Sequence, residues 1–425
     1  MTQPCKSGDT RIALVSNFWY RRGGLERVML ADAEWLAARG HEVAGFASEH
    51  ALNDPSSYSM FFPPGVDHGA LGKDQNLRGR TVAALRLFGN PTAVRAFDRF
   101  VDAFQPEVVH QHGVSRQMSA SVLARAHSRG IPTLLTLHDY SLRCPAGTLS
   151  RTGAPECLEI SCAGHRYDRA VRFKCVHGSR IASAIAATEL LIARALQRYE
   201  RSVDMFIVPS EYVRTKMLES GIRAGRLRVL ANAIDAGTDA PETRGKYVLG
   251  YGRLVYEKGF DLLVEAARSH PDLDFVITGD GHHRAILERQ AQGMVNVRFT
   301  GYVDAEGVNS LIREAIAVVV PSRVPETFGM VVLEAWSMGR PVIVTHRGAL
   351  PELVESGRTG MVVEPDSAAA LSDAIAMVAE HPEQARTMGR NGHREAQTRY
   401  GMSAHIERLE ATYRGLIDGR PDVSA

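Results

Sequence analysis

Twice along this chain, short apolar runs alternate with helical segments, and a polar stretch broken by proline and glycine separates the two series. Short buried runs joined through helices pair in parallel, with the helices covering both faces of the sheet. In the first series, strands are predicted at residues 11–16, 41–47, 107–111, 132–138, 204–209 and 228–232. Helices are predicted there at 25–39 and near 115–128, each followed by a glycine. The second series predicts strands at 247–252, 274–279, 297–301, 317–320, 341–345 and 361–363. Its helices fall near 261–269, 283–292, 305–314, 330–338 and 367–380, and 401–419 is again helical. At 425 residues the chain exceeds one ordinary core. The expectation is two doubly wound Rossmann-like α/β domains with a cleft between them. Residues 1–236 form the first and 237–400 the second, linked near 236–245. In such open sheets ligands bind beyond the carboxyl ends of the strands.

Composition narrows the function classes. An apolar share of 44% and a charged share of 23% belong to a soluble globular protein. A net charge of +2 gives no argument for nucleic acid. No apolar run approaches the roughly 18 residues that span a bilayer. The opening MTQPCKSGDTR lacks the apolar centre of a signal peptide. A cytoplasmic location, with the cysteines mostly reduced, is therefore expected.

The residues that carry chemistry cluster at predicted strand ends. After the strand at 317–320 come Pro321, a polar loop holding Glu326, then Phe328, Gly329 and a helix beginning at Met330. Glu326 faces the helix start, and Glu334 lies about two turns inside. A helix start offers unpaired N–H groups and partial positive charge to an anion. Acids beside such a start suggest a ligand with both phosphate and hydroxyl groups, such as a nucleotide sugar. Arg253 and Lys258 follow the first strand of the second series, where they can neutralise a diphosphate or form a solvated surface pair. Gly23 and Gly24 permit close approach of a diphosphate or make an ordinary tight turn. Gly279 sits in TGDG, where it shapes a nucleotide pocket or caps the next helix. Gly301 lies in FTGYV, whose backbone can meet a base edge. His138 ends an apolar strand, placed to bond a sugar hydroxyl or to serve structurally.

Two further features stand apart. Cys144, Cys157, Cys162 and Cys175 fall with gaps of twelve, four and twelve residues inside an insert spanning 140–180. They are consistent with a structural zinc site, with free thiols or with a disulfide. Arginines at 78, 80, 86, 95 and 99, and again from Arg166 to Arg201, are interleaved with Leu, Val and Phe. They make either a basic amphipathic face for anionic lipid or solvated helix surfaces.

Taken together, G-R-L at 252–254, K-G at 258–259, G-D-G at 279–281 and P-E-T-F-G-x-x-x-L-E-A at 325–335 resemble family 4 of the glycosyltransferases. R-G-G-L-E-R at 22–27 and L-H-D-Y at 137–140 are similar to that family as well. The resemblance covers nearly the whole chain and implies the GT-B fold, with residues 401–425 crossing back to the first domain. It implies a retaining hexosyl transfer from a nucleoside diphosphate sugar, UDP most commonly and GDP also compatible, to a saccharide or lipid-linked acceptor. Cell-surface polysaccharide or glycolipid synthesis at the inner face of the membrane is the implied setting. Arg253 and Lys258 would hold the diphosphate near the Gly24 backbone. Glu326 would bind donor-sugar hydroxyls, assisted by the N–H groups of Phe328, Gly329 and Met330. Glu334 would accept from the ribose, and His138 would sit beside the transferred sugar. No metal is then needed at the diphosphate, because cations and helix starts supply the charge. Ala233 departs from the Asn-Gly that the family often has at 232–233. A nucleotide-sugar epimerase, a sugar phosphorylase or a silent transferase partner are the alternatives.

Overall fold

The computed structural model describes residues 10–65, 89–115, 118–150, 157, 162, 166–238 and 245–419. Its first sheet holds β1 (Arg11–Val15), β2 (Glu42–Phe46), β3 (Val108–His112), β4 (Thr133–Thr136), β5 (Met205–Val208) and β6 (Leu227–Val229). They run in the order β2-β1-β3-β4-β5-β6. The second holds β7 (Tyr247–Tyr251), β8 (Asp274–Thr278), β9 (Val297–Gly301), β10 (Ala315–Val320), β11 (Val342–Thr345) and β12 (Gly360–Val363). Their order is β12-β11-β10-β7-β8-β9. Every pairing is parallel. Each of these twelve strands overlaps a segment predicted from the apolar runs.

The strand orders locate the chemistry. Sequence order reverses between β1 and β3 in the first sheet and between β7 and β10 in the second. At such a reversal the connections leave in opposite directions and open a crevice beyond the carboxyl ends. Gly23 and Gly24 follow β1, His138 lies just past β4, Arg253 follows β7, and the loop of Glu326 follows β10. These sequence features thus gather at the strand ends that build a crevice.

Periodicity did not reveal three long helices, Pro91–Phe104, Arg180–Ala195 and Pro382–Thr398. In Pro91–Phe104, residues Ala93, Ala96, Phe97, Phe100, Val101 and Phe104 are buried. Phe100 packs against Phe46, Tyr58 and Phe61. The apolar residues between Arg95 and Arg99 therefore belong to the core, and those arginines are its solvated face. Arg78, Arg80 and Arg86 lie outside the described residues. Pro382–Thr398 is the last of them, and its proline occupies a first-turn position where a missing N–H costs nothing. Among the described residues, no helix is long and apolar enough to cross a membrane.

The last helix, Met402–Ile417, follows the second sheet in sequence, yet Met402, Ile406, Leu409 and Tyr413 are buried in the core of the first. Polar contacts fix its register. His405 lies 3.1 Å from Asp32, Glu410 accepts from Arg39 at 2.7 Å, and Tyr413 meets His110 at 2.7 Å. Replacing the fully buried Ile406 by alanine is expected to lower first-domain stability by about 2–4 kcal/mol, measured as a shift in urea midpoint.

Candidate active site

At the second reversal, β7 runs into Gly252 and Arg253, and β8 into Gly279. Gly279 has φ +130°, and an added Cβ would stand 1.9 Å from the Gly252 carbonyl oxygen. This glycine lets two strand-end turns press backbone to backbone, so its missing side chain faces the protein and not a ligand. Gly301 abuts the Arg284 guanidinium, 3.1 Å from where a Cβ would stand. Gly24 differs. It begins the helix Gly24–Ala38, capped by Gly23 with no side-chain cap, and an added Cβ would meet nothing within 4 Å. The Glu26 carboxylate folds back over that start, its Oε2 3.3 Å from where a Cβ on Gly23 would stand, so it is the Gly24 side of the turn that is free of neighbours.

Glu326 and Lys258 come together directly. The Lys258 ammonium donates to Glu326 Oε1 at 2.6 Å, and the Ser322 hydroxyl donates to the same oxygen. Burial works against a charge on this carboxyl, but Lys258, then Ser322 and the nearby Arg253, outweigh it and hold Glu326 below the usual carboxylate range. Glu326 is ionised at neutral pH. Arg253 is exposed beside this pair. Helix Met330–Ser337 starts immediately after, with Gly329 at its N-cap and no side-chain cap over its first N–H groups. Phe328 is buried in the second-domain core and anchors that start.

Glu334 is the fifth residue of this helix, just over one turn from its start instead of two. Its carboxylate is buried and accepts from the Tyr251 hydroxyl at 2.6 Å. Burial, and then the Glu334 charge, push the Tyr251 hydroxyl well above its usual range, so it remains a donor. The Arg27 guanidinium, from the first domain, stands 2.6 Å from Glu334 Oε1.

The loop around Glu326 also binds the first domain. Thr327 donates from its hydroxyl to the His138 carbonyl at 3.0 Å, and its own carbonyl accepts from Ser210 at 2.8 Å. Tyr140 donates to the Glu326 carbonyl at 3.4 Å. Glu352 accepts from the backbone N–H groups of Glu211 and Tyr212 at 3.0 and 2.5 Å, meeting the start of the helix Glu211–Leu218 with a negative charge. The domains are therefore joined around the crevice.

His138 Nε2 lies 3.1 Å from His112 Nδ1, so any bond from its ring to a ligand falls to Nδ1. Burial lowers its pKa to about 4, leaving it neutral near pH 7. His110 stands beside His112 on β3, with ring centroids 4.2 Å apart. Burial lowers His110 to about 3 and holds His112 well below its ordinary value.

Comparison with known proteins follows this geometry. Residues 23–233 match the family described as Glycosyl transferase 4-like domain, and residues 236–395 match Glycosyl transferases group 1. The chain belongs to this glycosyltransferase family. The glycosyltransferase is 27% identical over 390 residues to a glycogen synthase of Mycobacterium tuberculosis, covering 87% of this chain and 85% of that protein. It is 35% identical to an alpha-D-kanosaminyltransferase of Streptomyces kanamyceticus over 212 residues, 46% of this chain and about half (55%) of that relative. Among solved structures, sucrose-phosphate synthase of Thermosynechococcus elongatus superposes with a TM-score of 0.70 at 22% identity, covering 96% and 100% of the two chains. HepE of Anabaena in complex with UDP-glucose gives 0.65 at 18% identity, covering 95% and 99%. Both establish the GT-B architecture.

Sequence reasoning missed several residues that build the glycosyltransferase's crevice: Arg27, His110, His112, Ser210, Tyr251, Ser322, Thr327 and Glu352. One signal was present. VVHQH is buried at every position of β3, and polar side chains inside a covered strand need a reason. Of the cysteine set, Cys144 and Cys162 are buried and Cys157 and Cys175 half-buried. Burial, and then the charges of Cys144, Cys157 and Cys175, push the Cys162 thiol up to about 12. Among the described residues, no group of three or more His, Cys, Asp or Glu is disposed to hold a metal ion.

His110, His112 and His138 take up protons on unfolding, so their contribution to stability is present above about pH 6.5 and is lost as pH falls toward 4 and below. His405 acts oppositely, because Asp32 outweighs burial and raises its pKa, but it is a single group. Thermal melts from pH 7 to 4 should therefore show falling stability, with a shallower pH dependence in His112→Asn.

Proposed function

We propose that this protein is a retaining glycosyltransferase that moves a hexosyl group from a nucleoside diphosphate sugar to an acceptor hydroxyl. The observation that carries the reading is the Lys258–Glu326 ion pair at 2.6 Å beside Arg253 and an uncapped helix start. Cations and N–H groups there suit a departing diphosphate, while an ionised carboxylate suits sugar hydroxyls. Glu326 Oε1 is held by Lys258 and Ser322, so Oε2 meets the donor sugar. Arg253, Lys258 and the Gly24 and Met330 helix starts stabilise charge that grows on the leaving phosphate. His138, neutral at working pH, positions the transferred sugar through Nδ1. The acceptor proton then passes to the departing phosphate, and attack occurs on the face that the phosphate leaves.

HepE binds UDP-glucose in its solved complex, which makes a UDP-sugar the first donor to test and a GDP-sugar the second. The acceptor is a saccharide or lipid-linked glycan in polysaccharide or glycolipid synthesis. A membrane-facing surface on the first domain fits that acceptor. Residues 166–201 carry eight Lys and Arg against three Asp and Glu, although the whole chain nets only +2. Beside them Ile181, Leu191 and Leu196 are 76%, 49% and 51% exposed. Such a surface suits anionic lipid on the cytoplasmic side. Cosedimentation with phosphatidylglycerol vesicles, and none with neutral ones, is the expected result.

Lys258→Ala and Arg253→Ala should each lower kcat/KM by about 10²–10³-fold, measured by diphosphate release. Near-normal turnover in both variants would remove the site assignment. Product NMR must show the donor's anomeric configuration retained. Conversion of the nucleotide sugar without acceptor would instead identify an epimerase, phosphate-dependent cleavage a phosphorylase, and failure to bind any nucleotide a silent partner.

Structural zinc in the insert is a separate proposal that rests on the sequence spacing of the four cysteines alone. One zinc per chain by elemental analysis is its expected result. No zinc and four titratable thiols would dismiss it.

A further inference from the structure

Glu334 presents a buried carboxylate whose two oxygens are treated differently. Oε2 accepts a 2.6 Å bond from Tyr251, a residue of the same domain. Oε1 stands 2.6 Å from Arg27 Nη2, yet accepts no well-aligned hydrogen bond among the described residues. Charge reaches Oε1, but its need for a directed donor is unmet. A buried acceptor left in that state is destabilising unless a ligand supplies the donor. A carboxylate offers about four lone-pair sites, so Tyr251 and Arg27 leave room for the two hydroxyls of a ribose.

The cation comes from across the crevice. Arg27 lies on the helix Gly24–Ala38, one turn beyond its start at Gly24, and its side chain is 47% exposed. A carboxylate buried without a cation is strongly disfavoured as the anion. The Glu334 carboxylate is thus held from both domains, by Arg27 of the first at Oε1 and by Tyr251 of the second at Oε2.

We propose that Arg27 is a positioning residue for the nucleotide: from the opposite domain it pairs with Glu334 and holds that carboxylate aimed at the ribose diol, so that ribose recognition operates only while the crevice is closed. The proposal rests on the reading of Glu334 as the ribose acceptor. It makes affinity for a ligand that touches mainly one domain depend on a residue of the other. A nucleoside diphosphate thereby favours closure, because the closed form is the one in which its ribose is recognised.

Calorimetric titration separates this role from the alternatives. The probes are the tightest binder among UDP, GDP and ADP and its 2′,3′-dideoxy counterpart, titrated into the full chain as wild type, Arg27→Ala and Arg27→Lys. Thermal melting checks that each variant is folded. Hydrogen bonds to a charged acceptor predict that wild type prefers the ribose form by about 10–100-fold. In Arg27→Ala that preference should fall to about threefold or less, with the dideoxy ligand bound about as in wild type, and Arg27→Lys should restore most of it. Equal weakening of both ligands in Arg27→Ala would place Arg27 on the phosphates and overturn the proposal. An unchanged ribose preference in Arg27→Ala would overturn it while leaving the ribose reading of Glu334 intact. No ribose preference in wild type would overturn that reading first, and the proposal with it.

Discussion

A carboxylate buried as Glu326 is stays charged only beside a cation, and Lys258 supplies that cation from the turn after β7. This one pairing ties the loop after β10 to the loop after β7, the two strands between which the second sheet reverses. The same loop gives its backbone to the first domain through Thr327, Tyr140 and Ser210. One short segment thus presents charge to the crevice and joins its two walls. Any change that displaces Glu326 disturbs the ligand site and the domain junction together.

The first domain meets that segment with a rigid histidine layer. His110 is held at both ring nitrogens, by Tyr413 and by Thr136, and it packs against His112, which in turn holds His138. Tyr413 belongs to the last helix, so that helix supports the His138 ring by way of two others. Buried polar groups fix geometry where they are satisfied, as His110 is, whereas His112 Nε2 has no hydrogen-bond partner among the described residues. Neutrality follows from the same burial, which is why His138 is read as a positioning group and not as an acid.

The strands were legible because burial on both faces writes itself as unbroken apolar runs, as in AIAVVV of β10. Glu326, Lys258 and Arg253 were legible because all three lie at strand ends beside glycine turns. Of the helix Pro91–Phe104 only the arginine face was legible, as a surface for lipid or solvent, because its aromatic face is turned inward against Phe46. Gly279 was read as shaping a nucleotide pocket or capping the next helix, and its close approach to the Gly252 carbonyl was not legible. The cross-crevice pairs were invisible for a simpler reason. Arg27 and Glu334, or Ser210 and Thr327, meet only after two domains have folded and docked, and no local pattern encodes such a distance.

The central claim is that Arg253, Lys258 and the two helix starts hold a diphosphate while Glu334 holds the ribose. A crystal structure with a bound nucleoside diphosphate tests it most directly. The account predicts phosphate oxygens within hydrogen-bond reach of Arg253, Lys258 and the Gly24 or Met330 backbone, with the ribose hydroxyls on Glu334. A nucleotide bound elsewhere, or with its phosphates turned away from Lys258 and Arg253, would contradict it.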